Sequence, residues 1–176
     1  MQKLAFLFLS SLILASPAQA GSSLETGADI GVSLLPITAL GATLYLDDED
    51  GSWQLAKGFV TNLAITEVLK QSVKRERPNK VDNKSFPSGH TSVSFQAATF
   101  IYQRYGWKPA IPAYLTASFV GYSRIKTDWH YGTDVLAGAI IGSLTSLYFT
   151  DPWNDSVQFM PIVDAGTYGI ALNGTW

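Results

Sequence analysis

Long apolar stretches broken by short polar turns run through most of this chain, and their spacing sets the first expectation. Apolar positions recur at helical rather than alternating intervals, which predicts helices over about 28–46, 53–76, 89–105, 109–123 and 131–149. The second of these is expected to stop at Arg77-Pro78, because a residue before proline is pushed out of helical geometry. Alternation typical of strands is confined to the tail, around Thr167 to Leu172. The predicted architecture is therefore all-α: a single-domain helical bundle of about five core helices with a short irregular or β-like C-terminal tail.

The N-terminal segment reads differently. Lys3 supplies a positive end, Leu4 to Ala15 an apolar run, and Pro17 with Ala18-Gln19-Ala20 a small-residue cleavage pattern. Residues 1–20 are expected to be a signal peptide and 21–176 the working domain, with an uncleaved anchor as the alternative. Cysteine is absent, so an oxidising compartment is compatible with the chain. Both features fit the bacterial cell envelope, with the periplasm as the expected location.

The position relative to the bilayer is the harder part. The uncharged runs Ile30–Leu46, Pro109–Ser123 and Val135–Thr150 are each about 15–17 residues, short of the roughly 20 needed to span a membrane. A spanning topology with the polar motifs outside would also leave the acidic Asp47-Asp48-Glu49-Asp50 loop in the cytoplasm, against the positive-inside tendency. A periplasmic bundle, free or peripherally bound, is expected, with an inner-membrane protein whose site faces the periplasm as the alternative.

Charge narrows the function classes. The chain carries a net charge of −2, so no global basic field suggests nucleic acid. Yet Lys70, Lys74, Arg75, Arg77, Lys80 and Lys84 crowd into one short segment. A cationic cluster in an acidic protein points to a local anion site. The Asp47–Asp50 run lacks the glycine spacing of a cation loop and reads as a solvated turn.

Only two histidines are present. His90 closes Pro87-Ser88-Gly89-His90, and His130 follows Ser123-Arg124 with Asp134 four residues further on. If the helices hold, Lys70 and Arg77 leave one helical face, with Lys74 between them, and His130 and Asp134 stack on another. Arg77 and Arg124 offer planar forks that fit two phosphate oxygens, while Lys70 adds a point charge. Ser88 and Gly89 open the third helix, where outward amides and a serine hydroxyl suit an anion and glycine allows close approach. One imidazole steered by a carboxylate can serve as nucleophile, and the other as general acid. From spacing alone the two histidine roles remain interchangeable, although the helical His130–Asp134 pairing points to His130 as the nucleophile.

The three strings, in this order, resemble the signature of the type 2 phosphatidic acid phosphatase family. That signature reads Lys, six residues, Arg-Pro; then Pro-Ser-Gly-His; then Ser-Arg, five residues, His, three residues, Asp. Lys70, Arg77, Pro78, Pro87 to His90, Ser123, Arg124, His130 and Asp134 meet every spacing. The resemblance implies a phosphatase with catalytic His130, His90 and Asp134, in which His130 becomes a phosphohistidine. It also implies phosphate-binding Lys70, Arg77, Ser88, Gly89 and Arg124, without metal or cofactor. Its substrates would be phosphomonoesters or pyrophosphates of lipids, such as phosphatidate, phosphatidylglycerol phosphate or undecaprenyl diphosphate. Other readings are a broad-specificity periplasmic acid phosphatase, a vanadate-dependent haloperoxidase of the same superfamily and an inactive envelope binding protein. The expected partner is a phosphorylated small molecule or lipid, with contact to a membrane surface or integration into the membrane. The oligomeric state is not readable.

Overall fold

The computed structural model describes residues 23–153 and the two strand segments 158–164 and 167–173; the expected signal peptide lies outside the described residues. Five helices form the bundle: α1 (Ser23–Tyr45), α2 (Glu49–Val73), α3 (Gly89–Tyr105), α4 (Trp107–Lys126) and α5 (Gly132–Phe149). In the tail, β1 (Gln158–Asp164) pairs antiparallel with β2 (Thr167–Asn173), Gln158 opposite Asn173.

Helix ends follow local chemistry. Asp48 caps α2, its carboxylate accepting from the Gly51 amide at 2.9 Å. The same helix stops at Val73, earlier than expected, because Lys74 turns left-handed at φ 48° and closes the C-terminus. Arg77-Pro78 therefore lies in a loop, not on the helix. Ser88 caps α3, and Gly106 at φ 87° joins α3 to α4, a backbone angle that glycine alone takes without strain.

α3 is the central helix and touches the other four. Its closest neighbour is α5, where glycines make the contact. A Cβ on Gly138 would overlap the Ser88 carbonyl oxygen, and one on Gly142 the Ser92 carbonyl oxygen. Two backbones meet here without intervening side chains, as in helix pairs packed through small residues four apart.

The interior is built from small and polar groups. Ala28, Ala39, Ala97, Ala98, Ala110, Ala113 and Ala117 are buried, with Phe100 and Val120 among the few large apolar side chains fully enclosed. Asn62, Thr66 and Ser92 join α2 to α3 through side-chain hydrogen bonds, Thr66 to Ser92 at 3.1 Å. Large apolar residues point outward instead. On α5 the buried positions are Asp134, Gly138, Gly142, Thr145 and Ser146, while Leu136, Ile140, Leu144 and Leu147 are exposed. α1 exposes Ile30, Leu34 and Ile37, and α4 exposes Ile111, Leu115 and Phe119. The helices are also longer than the uncharged runs suggested: α1 has 23 residues and α4 20. By length and composition, α1 and α5 could cross a membrane.

Candidate active site

The site lies at the end of the bundle where α3 and α5 begin and α2 and α4 finish. The loop after α2 folds back over this end. Ser85 donates its amide to the Arg75 carbonyl at 2.9 Å, and Arg77 donates its amide to the Asp82 carbonyl at 3.0 Å. That folding brings Arg77 to the site. The expectation that Lys70 and Arg77 share a helical face is corrected, since only Lys70 is on the helix.

His130 is buried in the loop between α4 and α5, so its expected helical stacking on Asp134 is corrected as well. Its Nδ1 lies 2.6 Å from the Ser85 carbonyl oxygen, and its Nε2 lies 3.2 Å from Arg77 Nη1. A carbonyl only accepts and a guanidinium only donates. Nδ1 must therefore carry the proton, leaving the Nε2 lone pair exposed toward the cations. Burial, then the nearby Arg77 and Lys70 charges, push the His130 pKa down to about 3, so the ring is neutral near pH 7.

Asp134 does not bond the imidazole directly. Its Oδ2 is 3.9 Å from His130 Nδ1 and instead accepts from Ser85 Oγ at 2.5 Å and the Tyr131 amide at 3.0 Å. Its Oδ1 accepts from Arg75 at 2.7 Å. The carboxylate thus fixes Ser85 and the start of α5, and the Ser85 carbonyl in turn fixes the tautomer. Arg75 also lies 4.1 Å over the Tyr131 ring.

The cations converge from separate elements. Lys70 Nζ donates to the carbonyl oxygens of Lys84, at 3.1 Å, and Pro87. Arg77 is held by Asp82 at 2.7 Å and donates to the Trp129 carbonyl at 3.2 Å. Arg124 is buried in the last turns of α4 and donates to the Glu25 carbonyl at 3.2 Å. Among the described residues its enclosed Nε has no hydrogen-bond partner, which suits an arginine kept for an anion.

Gly89 and His90 form the first turn of α3, whose leading amides have no intrahelical acceptor. The Ser88 hydroxyl is buried, 2.9 Å from Thr91 Oγ1, and caps the helix. His90 Nε2 lies 3.4 Å from Asp29 Oδ1, and that same oxygen is 3.0 Å from Arg124 Nη2. His90 is near enough to His130 to influence its charge.

Of the predicted residues, Lys70, Arg77, His90, Arg124, His130 and Asp134 are brought together, with Ser88 and Gly89 at the edge. Reading the motifs missed Ser85, Asp82, Arg75 as the partner of Asp134, and Asp29 with Glu25 on α1. Asp29 did leave a signal, as a lone carboxylate beside an apolar helical run. Ser85 and Asp82 left none, since a loop's path back over a site has no periodicity to read.

The model of the PAP2 superfamily matches residues 51–156, well over half of the chain. The chain belongs to the PAP2 superfamily. It is accordingly a phosphatase, a hydrolase of phosphoric esters. It is 31% identical to a lipid A 4'-phosphatase of Helicobacter pylori over 199 aligned positions, covering 100% of both chains. A lipid A 1-phosphatase of Porphyromonas gingivalis is 38% identical over 94 residues, 47% of this chain but only 21% of that longer protein. Among solved structures, a transmembrane PAP2 type phosphatidylglycerolphosphate phosphatase from Bacillus subtilis superposes with a TM-score of 0.59 at 25% identity, covering 72% of each chain. The PAP2 match begins inside α2, so α1 and its two site-facing acids lie outside it.

Proposed function

We propose that this protein removes a phosphate monoester from a membrane lipid by way of a phosphohistidine on His130, without a metal. The observation that carries the reading is the state of His130: a neutral ring with Nδ1–H held by the Ser85 carbonyl and the Nε2 lone pair turned to Arg77.

In the first step the Nε2 lone pair forms a bond to phosphorus as the bond from phosphorus to the leaving oxygen breaks. The leaving oxygen keeps that electron pair and takes a proton from His90. Arg77, Arg124, Lys70 and the first amides of α3 face the charge that spreads over the other phosphate oxygens. In the second step His90, now neutral, takes a proton from water as the water oxygen attacks phosphorus. The phosphorus–nitrogen bond breaks and its electrons return to Nε2, releasing phosphate. The Ser85 carbonyl stabilises the positive ring in between, and Asp134 keeps Ser85 in place.

The lipid substrate is supported by the outward-facing apolar side chains of α1, α4 and α5 around a core of glycine, alanine and polar groups. Water penalises such a surface, whereas a bilayer does not. In this reading the bundle sits in the membrane of the cell envelope, with its site end at the polar boundary on the periplasmic side. The full-length similarity to a lipid A phosphatase favours a phosphorylated glycolipid headgroup of the lipid A type among the possible substrates.

Purified protein in detergent should release phosphate from lipid A and from phosphatidate. His130→Ala should lose activity to background, a drop on the order of a millionfold for removal of a nucleophile. A variant that keeps wild-type turnover would remove the phosphohistidine from the mechanism.

A further inference from the structure

We propose that Asp29 is a positioning residue for the proton-donating histidine: a carboxylate supplied by α1 that holds His90 and Arg124 in one arrangement and favours a proton on His90 as the leaving oxygen departs. This rests on the mechanism above and extends it to a helix that carries none of the three motifs.

One oxygen makes both contacts. Asp29 Oδ1 is 3.0 Å from Arg124 Nη2 and 3.4 Å from His90 Nε2. The carboxylate therefore ties the anion-binding arginine of α4 to the imidazole that opens α3. Its position is fixed by its helix. Next to it, Ala28 is fully buried. The backbone of α1 receives two further bonds from the third motif, Ser123 Oγ to the Leu24 carbonyl at 3.2 Å and Arg124 Nη2 to the Glu25 carbonyl at 3.2 Å. The Glu25 side chain accepts from Trp129 Nε1 at 2.5 Å. Two turns of α1 are thus docked onto the segment that carries His130.

The charge around His90 explains what the carboxylate is for. Arg124 faces the ring from α4, Lys70 from α2, Arg77 from the loop after α2, and His130 from the loop before α5. Burial above all, then the Arg124, Lys70 and Arg77 charges, push the His90 pKa down to about 4, and Asp29 opposes them. A ring that must protonate an alkoxide needs that counterweight. A leaving oxygen that departs easily as an anion does not.

Leaving-group dependence is therefore the test. Asp29→Asn and Asp29→Glu, purified in detergent beside wild type and His130→Ala, are assayed on phosphatidate, an alkyl phosphate, and on p-nitrophenyl phosphate, whose leaving group needs little protonation. Asp29→Asn should lose about tenfold or more of kcat/KM on phosphatidate and less than about threefold on the aryl ester, a share of what general acid catalysis contributes. The basic limb of its pH profile should move to lower pH, since removing the anion makes the ring a stronger acid. Asp29→Glu should restore part of both. Equal losses on the two substrates with an unmoved limb, or no loss at all, would overturn the role of Asp29. If His130→Ala is inactive while Asp29→Asn behaves in that way, only this inference fails. A wild type without turnover on either ester, or an active His130→Ala, overturns the mechanism and this inference together.

Discussion

Two arginine–aspartate pairs lie at opposite ends of the bundle, Arg104 with Asp48 and Arg124 with Asp29, and they are built to different rules. α1 separates them, with Asp29 near its start and Asp48 just past its end, roughly 25 Å apart along the axis. In the first pair both side chains are enclosed and every group is matched. Arg104 grips both carboxylate oxygens of Asp48 and donates to the Asp151 carbonyl at 2.9 Å. Asp48 also accepts from the Gly51 amide and from the Tyr105 hydroxyl, each at 2.9 Å. In the second pair Arg124 is equally buried, but Asp29 is 54% exposed and the arginine Nε is left without a partner among the described residues. A fully matched buried pair holds elements together. A buried arginine with a free donor and an exposed, replaceable partner is kept ready for another anion.

The largest separation between the two ends should come from breaking the closed one. Asp48→Ala removes a helix cap and strands Arg104, at an expected cost of about 3–5 kcal/mol in stability. The melting temperature in detergent should fall sharply, while kcat/KM per folded molecule stays near wild type. A stable Asp48→Ala variant would show that the closed pair is dispensable.

Arg124→Ala should do the reverse. It removes a donor that the proposed mechanism directs at the phosphate oxygens, and a loss of about 10²–10³ in kcat is expected, with a much smaller change in melting temperature. Weaker inhibition by vanadate should accompany it. If Arg124→Ala unfolds the protein as readily as Asp48→Ala, the contrast between the ends disappears.

A third separation is by pH. His130 has its pKa held below the ordinary 6.5, at about 3, whereas the unfolded chain titrates normally. Above pH 6.5 neither state binds the proton, so this contribution to stability is complete. As pH falls from 6.5 toward 3 the unfolded state gains a proton that the folded ring refuses, and stability declines. His130→Gln should flatten part of that acid-side slope in melting measurements. Parallel slopes for wild type and His130→Gln would mean that the ring is not held neutral.

Much of this was readable before any folding was considered. Helical periodicity is a local property, and the five expected helices are present, α3 with the expected limits of 89 and 105. The residues of the motifs, Lys70, Arg77, His90, Arg124, His130 and Asp134, lie together in the fold, although not through the helical faces expected for two of the pairings. A helical face was assumed for Arg77 and for His130, and both lie on loops. The acidic run at Asp47–Asp50 was read as a solvated turn, yet Asp48 is one of the most fully bonded side chains in the protein. Its partner is fifty-six residues away, and no local pattern encodes that distance.

The order of residues by itself determined the helices, the chemical inventory and the family, because propensity, apolar periodicity and motif spacing act between near neighbours. Tertiary structure alone decided which groups face which. It put the Ser85 carbonyl rather than Asp134 on the His130 ring, turned the Ser88 hydroxyl inward, and brought Asp29 to His90 and Arg124. It also decided that large apolar side chains face outward over a core of glycine and alanine, since the side of a helix that becomes the inside depends on what packs against it.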